Sequence, residues 1–172
     1  MKKKEQIEVD FEQLVERQRQ TIYSVCYLFA DGRQTADDLF QESLIRLWQG
    51  FGTYEGRSTE KTWVYRVALN TCINLDRKHK RRLDTSPLEL DMDFFADEQA
   101  NEPAARLHRR IGKLHPFDRA LILLWLEDLP YDEIAAILGI TVKIVSVRLV
   151  RIREKLKSIT DYNKKQWKTI SI

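Results

Sequence analysis

Apolar residues recur along this chain at intervals of three and four, and no stretch alternates convincingly at period two, so the pattern predicts helices. Leu14, Val15, Ile22, Val25, Cys26 and Phe29 share one side of a helix over about Phe11 to Ala30. Thr35 with Asp38 three residues on is a capping arrangement, opening a second helix that runs to about Trp48 with Phe40, Leu44, Leu47 and Phe51 inward. After the loop FGTYEGRST, a long helix is predicted from about Thr62 to Arg82, with Val64, Ala68, Thr71 and Leu75 inward. A further helical module spans about Leu107 to Leu156, and the tail DYNKKQWKTISI is expected to fray. The expected fold is all-α: two small helical domains, residues 1–83 and 107–160, joined by a flexible acidic linker at 84–106 and followed by a tail at 161–172. No internal repeat is present.

The stretch DEIAAILGITVKIVSVRLVRIREKL, residues 132 to 156, carries the sharpest pattern. Ile134, Ala135 and Leu138 form the apolar face of a short helix, and Asp132 and Glu133 sit in its first turn, where carboxylates favour the helix dipole. Gly139 can take the positive φ of a tight turn, and Thr141 is placed to cap the next helix. There Val145, Leu149, Ile152 and Leu156 make one inward stripe at spacings of four, three and four. Lys143, Val147, Val150 and Glu154 lie opposite, flanked by Arg148, Arg151 and Lys157. The layout is a helix-turn-helix: cations to neutralise phosphates, and residues near the helix start to meet base edges. Outward Val147 and Val150 suit thymine methyl groups. The same spacing also fits a plain helical hairpin with a solvated basic face.

Charge sharpens this reading through its distribution rather than its sum. Net charge is only +3, yet RKHKRR at 77–82 is basic, residues 84–102 hold seven acids and no Lys or Arg, and Lys143 to Lys157 is basic again. Two cationic modules joined by an anionic connector is the pattern this describes. On the long helix Trp63, Arg66, Asn70, Asn74, Arg77 and Arg81 lie roughly opposite the apolar side. An aromatic, two amides and arginines on one stripe suit single-stranded nucleic acid, by stacking, edge hydrogen bonds and backbone contact; a half-buried Trp63 is an equally good reading of that residue alone. On ADDLFQESLIRLW, Asp38, Gln41, Glu42 and Ile45 form a surface of acids and an amide around one outward isoleucine, either a solvated face or a protein-binding patch.

Hydrophobic residues at 43%, with four Trp, seven Phe and six Tyr, are enough for a real core. The longest apolar runs are broken by charge, and the start, MKKKEQIEVDFEQL, lacks a secretory apolar stretch. Cys26 and Cys72 fall inside apolar helical patterns and read as buried reduced thiols, suiting a cytoplasmic protein. Enzymatic chemistry finds no support: there is no P-loop and no Ser-His-Asp order, His79, His108 and His115 lack ligand spacing, and no cofactor is implied.

In the order ADDLFQESLIRLW, TWVYRVALNTCINLDRKHKRR, LPYDEIAAILGITVKIVSVRLVRIREKL, the chain resembles bacterial RNA polymerase sigma factors of the extracytoplasmic-function group, the smallest members of the sigma-70 family, over about residues 11–82 and 107–157. The resemblance implies that Asp38, Gln41 and Glu42, with Ile45 beside them, grip a coiled coil on the largest subunit of core RNA polymerase. It implies that the stripe from Trp63 through Arg66, Asn70, Asn74 and Arg77 to Arg81 recognises and melts the −10 promoter element, and that the loop Phe51 to Ser58, with Tyr54 and Arg57, captures a flipped base. The C-terminal helix-turn-helix would read the −35 element, with Thr141, Lys143, Ile144, Ser146, Val147, Arg148, Val150 and Arg151 as candidate contacts. The acidic linker would thread toward the polymerase's RNA exit path, and an anti-sigma factor is a usual partner in the group. The chain departs from the family pattern at Lys143 and Ile144, where glycine and threonine are common, at Pro130, where Ser or Thr often caps the support helix, and at Thr59 to Lys61, so no base preference carries over. A conventional helix-turn-helix regulator independent of polymerase would share the C-terminal motif, but it has no need of the upstream surfaces.

Overall fold

The computed structural model describes residues 2–31, 34–83 and 103–157. Seven helices are present among the described residues and no strands: α1 (Lys2–Phe29), α2 (Ala36–Phe51), α3 (Glu60–Leu83), α4 (Pro103–Gly112), α5 (Pro116–Leu126), α6 (Tyr131–Leu138) and α7 (Val142–Lys157). The chain divides into two compact units, Met1–Leu75 and Asp76–Ile172. The expected acidic connector, apart from the first turn of α4, and the tail from 161 lie outside the described residues.

In the first unit α1 begins nine residues before the apolar pattern does. Residues 5–10 are all exposed, so those turns add no apolar stripe, and Gln6 is tied to Asp10 one turn on at 2.8 Å. Further along, Leu14, Ile22, Val25, Cys26 and Phe29 are buried as expected, while Val15 is half-buried. The capping box that opens α2 is present: Asp38 N donates to Thr35 Oγ1 at 3.1 Å, and Thr35 N donates to Asp38 Oδ2 at 3.2 Å.

The register of α2 differs from expectation. Its buried line is Leu39, Ser43 and Leu47, whereas Phe40, Leu44 and Phe51 are half-buried. The reason is Ser43, a polar residue by type whose small side chain fits the tight contact with α1, its Oγ 3.7 Å from Cys26 Sγ. The phenylalanines instead close the seam between the helices. Phe51 meets Phe11 edge-on at 5.4 Å, and Phe40 lies 6.2 Å from Tyr23. On α3, Tyr65, Leu69 and Cys72 are buried alongside the expected Val64, Ala68 and Thr71, so the apolar face is broader than the stripe read from spacing. Both cysteines are buried free thiols, and a hydrogen bond from Cys72 holds the Cys26 thiol below its ordinary value against the upward push of burial.

The second unit is built on α5, α6 and α7, which pack on one another. Val145, Leu149, Ile152 and Leu156 are all buried, as their spacing required. On α6 the buried residues are Ile134, Ala135 and Ile137; Leu138, expected inward, is only half-buried. Gly139 ends α6 at φ 67°, ψ 36°, a left-handed conformation that side chains resist, and Thr141 Oγ1 accepts from Ile144 N at 3.3 Å to open α7. Buried Arg119 on α5 donates to the backbone carbonyls of Gly112 and Leu114, joining the α4–α5 turn to the core.

Candidate nucleic-acid interface

Thr59 sets where α3 begins: its Oγ1 accepts from Thr62 N at 3.1 Å, and its carbonyl from Trp63 N at 3.0 Å. Glu60 follows in the first turn, where Arg17 and Gln18 of α1 reach it at 2.8 and 2.9 Å. The Arg17 hydrogen bond holds the Glu60 carboxyl below the usual carboxylate range, against the opposite pull of burial. The start of α3, and with it the indole of Trp63, is therefore anchored to α1.

Trp63 is half-buried, and its ring rests on the α2 backbone at Gly50, where an added Cβ would stand 3.3 Å from Cζ2. Tyr54 stacks on the indole with centroids 4.8 Å apart and 27° between planes, and its hydroxyl donates to Ser58 O at 2.6 Å. Thr53, Tyr54, Glu55, Arg57, Ser58, Trp63 and Arg66 line an open pocket of about 280 Å³. Of the loop residues, sequence reading singled out Tyr54 and Arg57; Thr53, Glu55 and Ser58 are polar residues in a non-periodic segment and carry no signal of their own. Arg57 on the rim pairs with Glu55 at 2.5 Å. A π-surface bordered by guanidinium groups and small polar side chains can stack a planar base and hold its edge.

From this pocket the exposed stripe continues along α3 through Arg66, Asn70, Asn74, Arg77 and Arg81, all exposed. At 1.5 Å per residue it runs roughly 27 Å from Trp63. Of the two readings left open for Trp63, the half-buried one is seen, and the ring also lines the pocket.

On the outer side of α2, Gln41 and Ile45 are exposed, the latter by 50%. Their acidic neighbours have partners within the helix. Asp38 accepts from Thr35 in the capping box, and Glu42 pairs with Arg46 at 3.1 Å.

On α7, Thr141 is occupied as the cap, and Lys143, Ile144, Ser146, Val147, Val150 and Arg151 are exposed. Arg148 departs from the expected flank of the DNA-facing stripe. It turns to Asp118 on α5 at 2.8 Å, with its guanidinium 4.7 Å from the Phe117 ring centre. Arg153 similarly lies over Trp125 at 5.3 Å. His115 accepts from Phe117 N at 3.3 Å to cap α5, a structural post for one of the three histidines. Among the described residues no cluster of His, Cys, Asp or Glu could hold a metal, and no helix is long and apolar enough to cross a membrane.

Residues 14–82 match the family described as Sigma-70 region 2, and residues 104–156 the one described as Sigma-70, region 4. The RNA polymerase sigma-H factor of Pseudomonas aeruginosa is 31% identical over 162 residues, covering 85% of this chain and 83% of that protein. The chain belongs to the sigma-70 family. The ECF RNA polymerase sigma factor SigW of Bacillus subtilis is 29% identical over 164 residues, 86% of this chain and 87% of the relative, and the extracytoplasmic-function group is the sigma factor's place within that family. In fold it is similar to the solved sigma factor RpoE from Bartonella quintana, in complex with the anti-sigma factor NepR, with TM-score 0.66 and 21% identity over 87% of this chain and 95% of that one. It directs promoter-specific initiation with core RNA polymerase, and sigma factors in general are not enzymes.

Proposed function

We propose that this sigma factor divides promoter reading between its N-terminal and C-terminal helices: the α3 stripe and the loop pocket take the −10 element, and α7 takes the −35 element. The pocket carries this reading. A stacked Tyr54–Trp63 floor opening onto a row of amides and arginines has the chemistry to hold an extruded base and the single strand beyond it. Melting then follows from differential binding, because these groups gain contacts only once the strands part.

The outer face of α2 docks on core polymerase through Gln41 and Ile45, with Glu42 and the rim of Asp38 adding charge. Residues 84–106 act as the acidic connector between domains 1–83 and 107–160, and the chain works in the bacterial cytoplasm without chemistry of its own. Joining the two readers through the polymerase makes the second DNA contact intramolecular, so neither half needs genome-wide specificity alone. An anti-sigma factor fits as a regulator, supported by the complex in which the similar RpoE was solved.

The test is to mix the full chain with bacterial core polymerase, follow co-elution by gel filtration, and transcribe from a genomic fragment library. Promoter-specific transcripts that lose strand opening in Asn70→Ala, but keep duplex binding, support the division. Normal opening by Asn70→Ala removes the α3 stripe from it.

A further inference from the structure

Two arginines of α7 are turned toward their own unit, Arg148 on Asp118 and Phe117, and Arg153 on Trp125. What points away from the buried stripe at mid-helix is aliphatic: Val147 is 44% exposed and Val150 56%. Exposed Lys143 and Arg151 flank them. A guanidinium reads guanine and an amide reads adenine, each through paired hydrogen bonds; valine offers neither donor nor acceptor. The base feature it can read in the major groove is the C5-methyl group of a pyrimidine. Val147 and Val150 are three residues apart, a rise of about 4.5 Å, close to the 3.4 Å step between base pairs, so the two side chains can meet neighbouring pairs. The flanking cations favour the polyanion as occupant of this face over an apolar protein partner.

Resting on the reading of α7 as the −35 reader, we infer that Val147 and Val150 determine specificity there by contacting thymine methyl groups, so that a pyrimidine lacking the methyl is rejected. Removing one buried methyl-sized group reduces affinity about fourfold.

The experiment selects promoter fragments randomised in the upstream element with holoenzyme made from the full chain and core polymerase. The best fragment is then remade with deoxyuridine in place of thymidine, one position at a time. The expected result is thymine at one or two central positions, about fourfold weaker competition for each methyl removed, and loss of that difference in Val147→Ala or Val150→Ala holoenzyme. Alanine is a strong helix former and both sites are on the surface, so these variants fold. Circular dichroism of each variant checks this. A selected element without thymine there, or one bound equally well with uracil, overturns the methyl contact and leaves the sigma reading standing. A uracil penalty that persists unchanged in both variants overturns it too. Failure to enrich any upstream sequence, with transcripts still initiated, overturns the role of α7 itself.

Discussion

Replacing Arg148 with alanine removes a cation from two partners at once. The hydrogen-bonded ion pair to Asp118, 2.8 Å long, is of the charged kind that contributes about 1.5–3 kcal/mol, and the contact with Phe117 adds about 0.5–1 kcal/mol. Screening reduces the first figure because the Arg148 side chain is 43% exposed, yet Asp118, at 16%, would be left in a partly desolvated place without its cation. A loss of about 2 kcal/mol is the resulting expectation, roughly 30-fold in the opening equilibrium of the α5–α7 core. Hydrogen exchange read by mass spectrometry on peptides covering 116–126 and 142–157 measures it directly, with peptides from α1 and α2 as internal controls. Asp118→Asn should raise exchange in the same peptides by a smaller factor, because the neutral amide still accepts a hydrogen bond and keeps the volume. Upstream-element binding should fall in Arg148→Ala only as far as the opened fraction grows. Unchanged exchange in Arg148→Ala, combined with lost upstream binding, would refute this reasoning and put the guanidinium on a DNA phosphate.

Thr35→Ala removes the hydroxyl that accepts from Asp38 N, leaving the backbone half of the α2 capping box, and should cost about 1 kcal/mol, read as a lower urea midpoint at constant slope. Because Asp38 belongs to that box, polymerase docking is better tested at Ile45: Ile45→Asp should abolish co-elution with core polymerase while the helical circular dichroism stays unchanged, and retained co-elution removes α2 from the docking face. Glu60 is depressed by Arg17, so its contribution to the first unit is complete above the ordinary carboxylate value of about 4.3 and is lost as pH falls through the lower folded value. Wild type should therefore exceed Glu60→Gln in stability at pH 7 and converge with it once the pH has fallen below the folded value; a gap that does not close with acid would show that the pair is not the cause.

Legibility followed the side chains that spacing can use. The α7 stripe was readable in full because all four positions are aliphatic and each is buried, and the turn before it was readable because Gly139 and Thr141 are the residue types that a left-handed end and a cap require. The early turns of α1 were not, since residues 5–10 are all exposed and leave no periodic trace. Ser43 misled the register of α2: residue type marks it as outward, but close approach of α1 needs something small. At the candidate site, the exposed stripe on α3 could be seen in advance, whereas the seat of Trp63 on Gly50 and the Arg148–Asp118 pair could not. Those contacts join positions 13 and 30 residues apart, and no local pattern encodes which distant carboxylate or backbone a side chain will find.

The ring pair on Gly50 has a consequence for how such a protein can change. Its floor is paid for by the fold, because Trp63 is wedged against a helix backbone and Tyr54 is latched to Ser58, so altering either ring disturbs the architecture. Glu55 and Arg57 stand exposed around it and can vary at little structural expense, whereas the Thr53 hydroxyl is tied to Gly50 O at 2.9 Å. On the proposed −10 reading, a lineage, or an engineer, would swap the rim to suit a new promoter while the platform beneath stays the same, and new preferences would arise without passing through an unfolded intermediate.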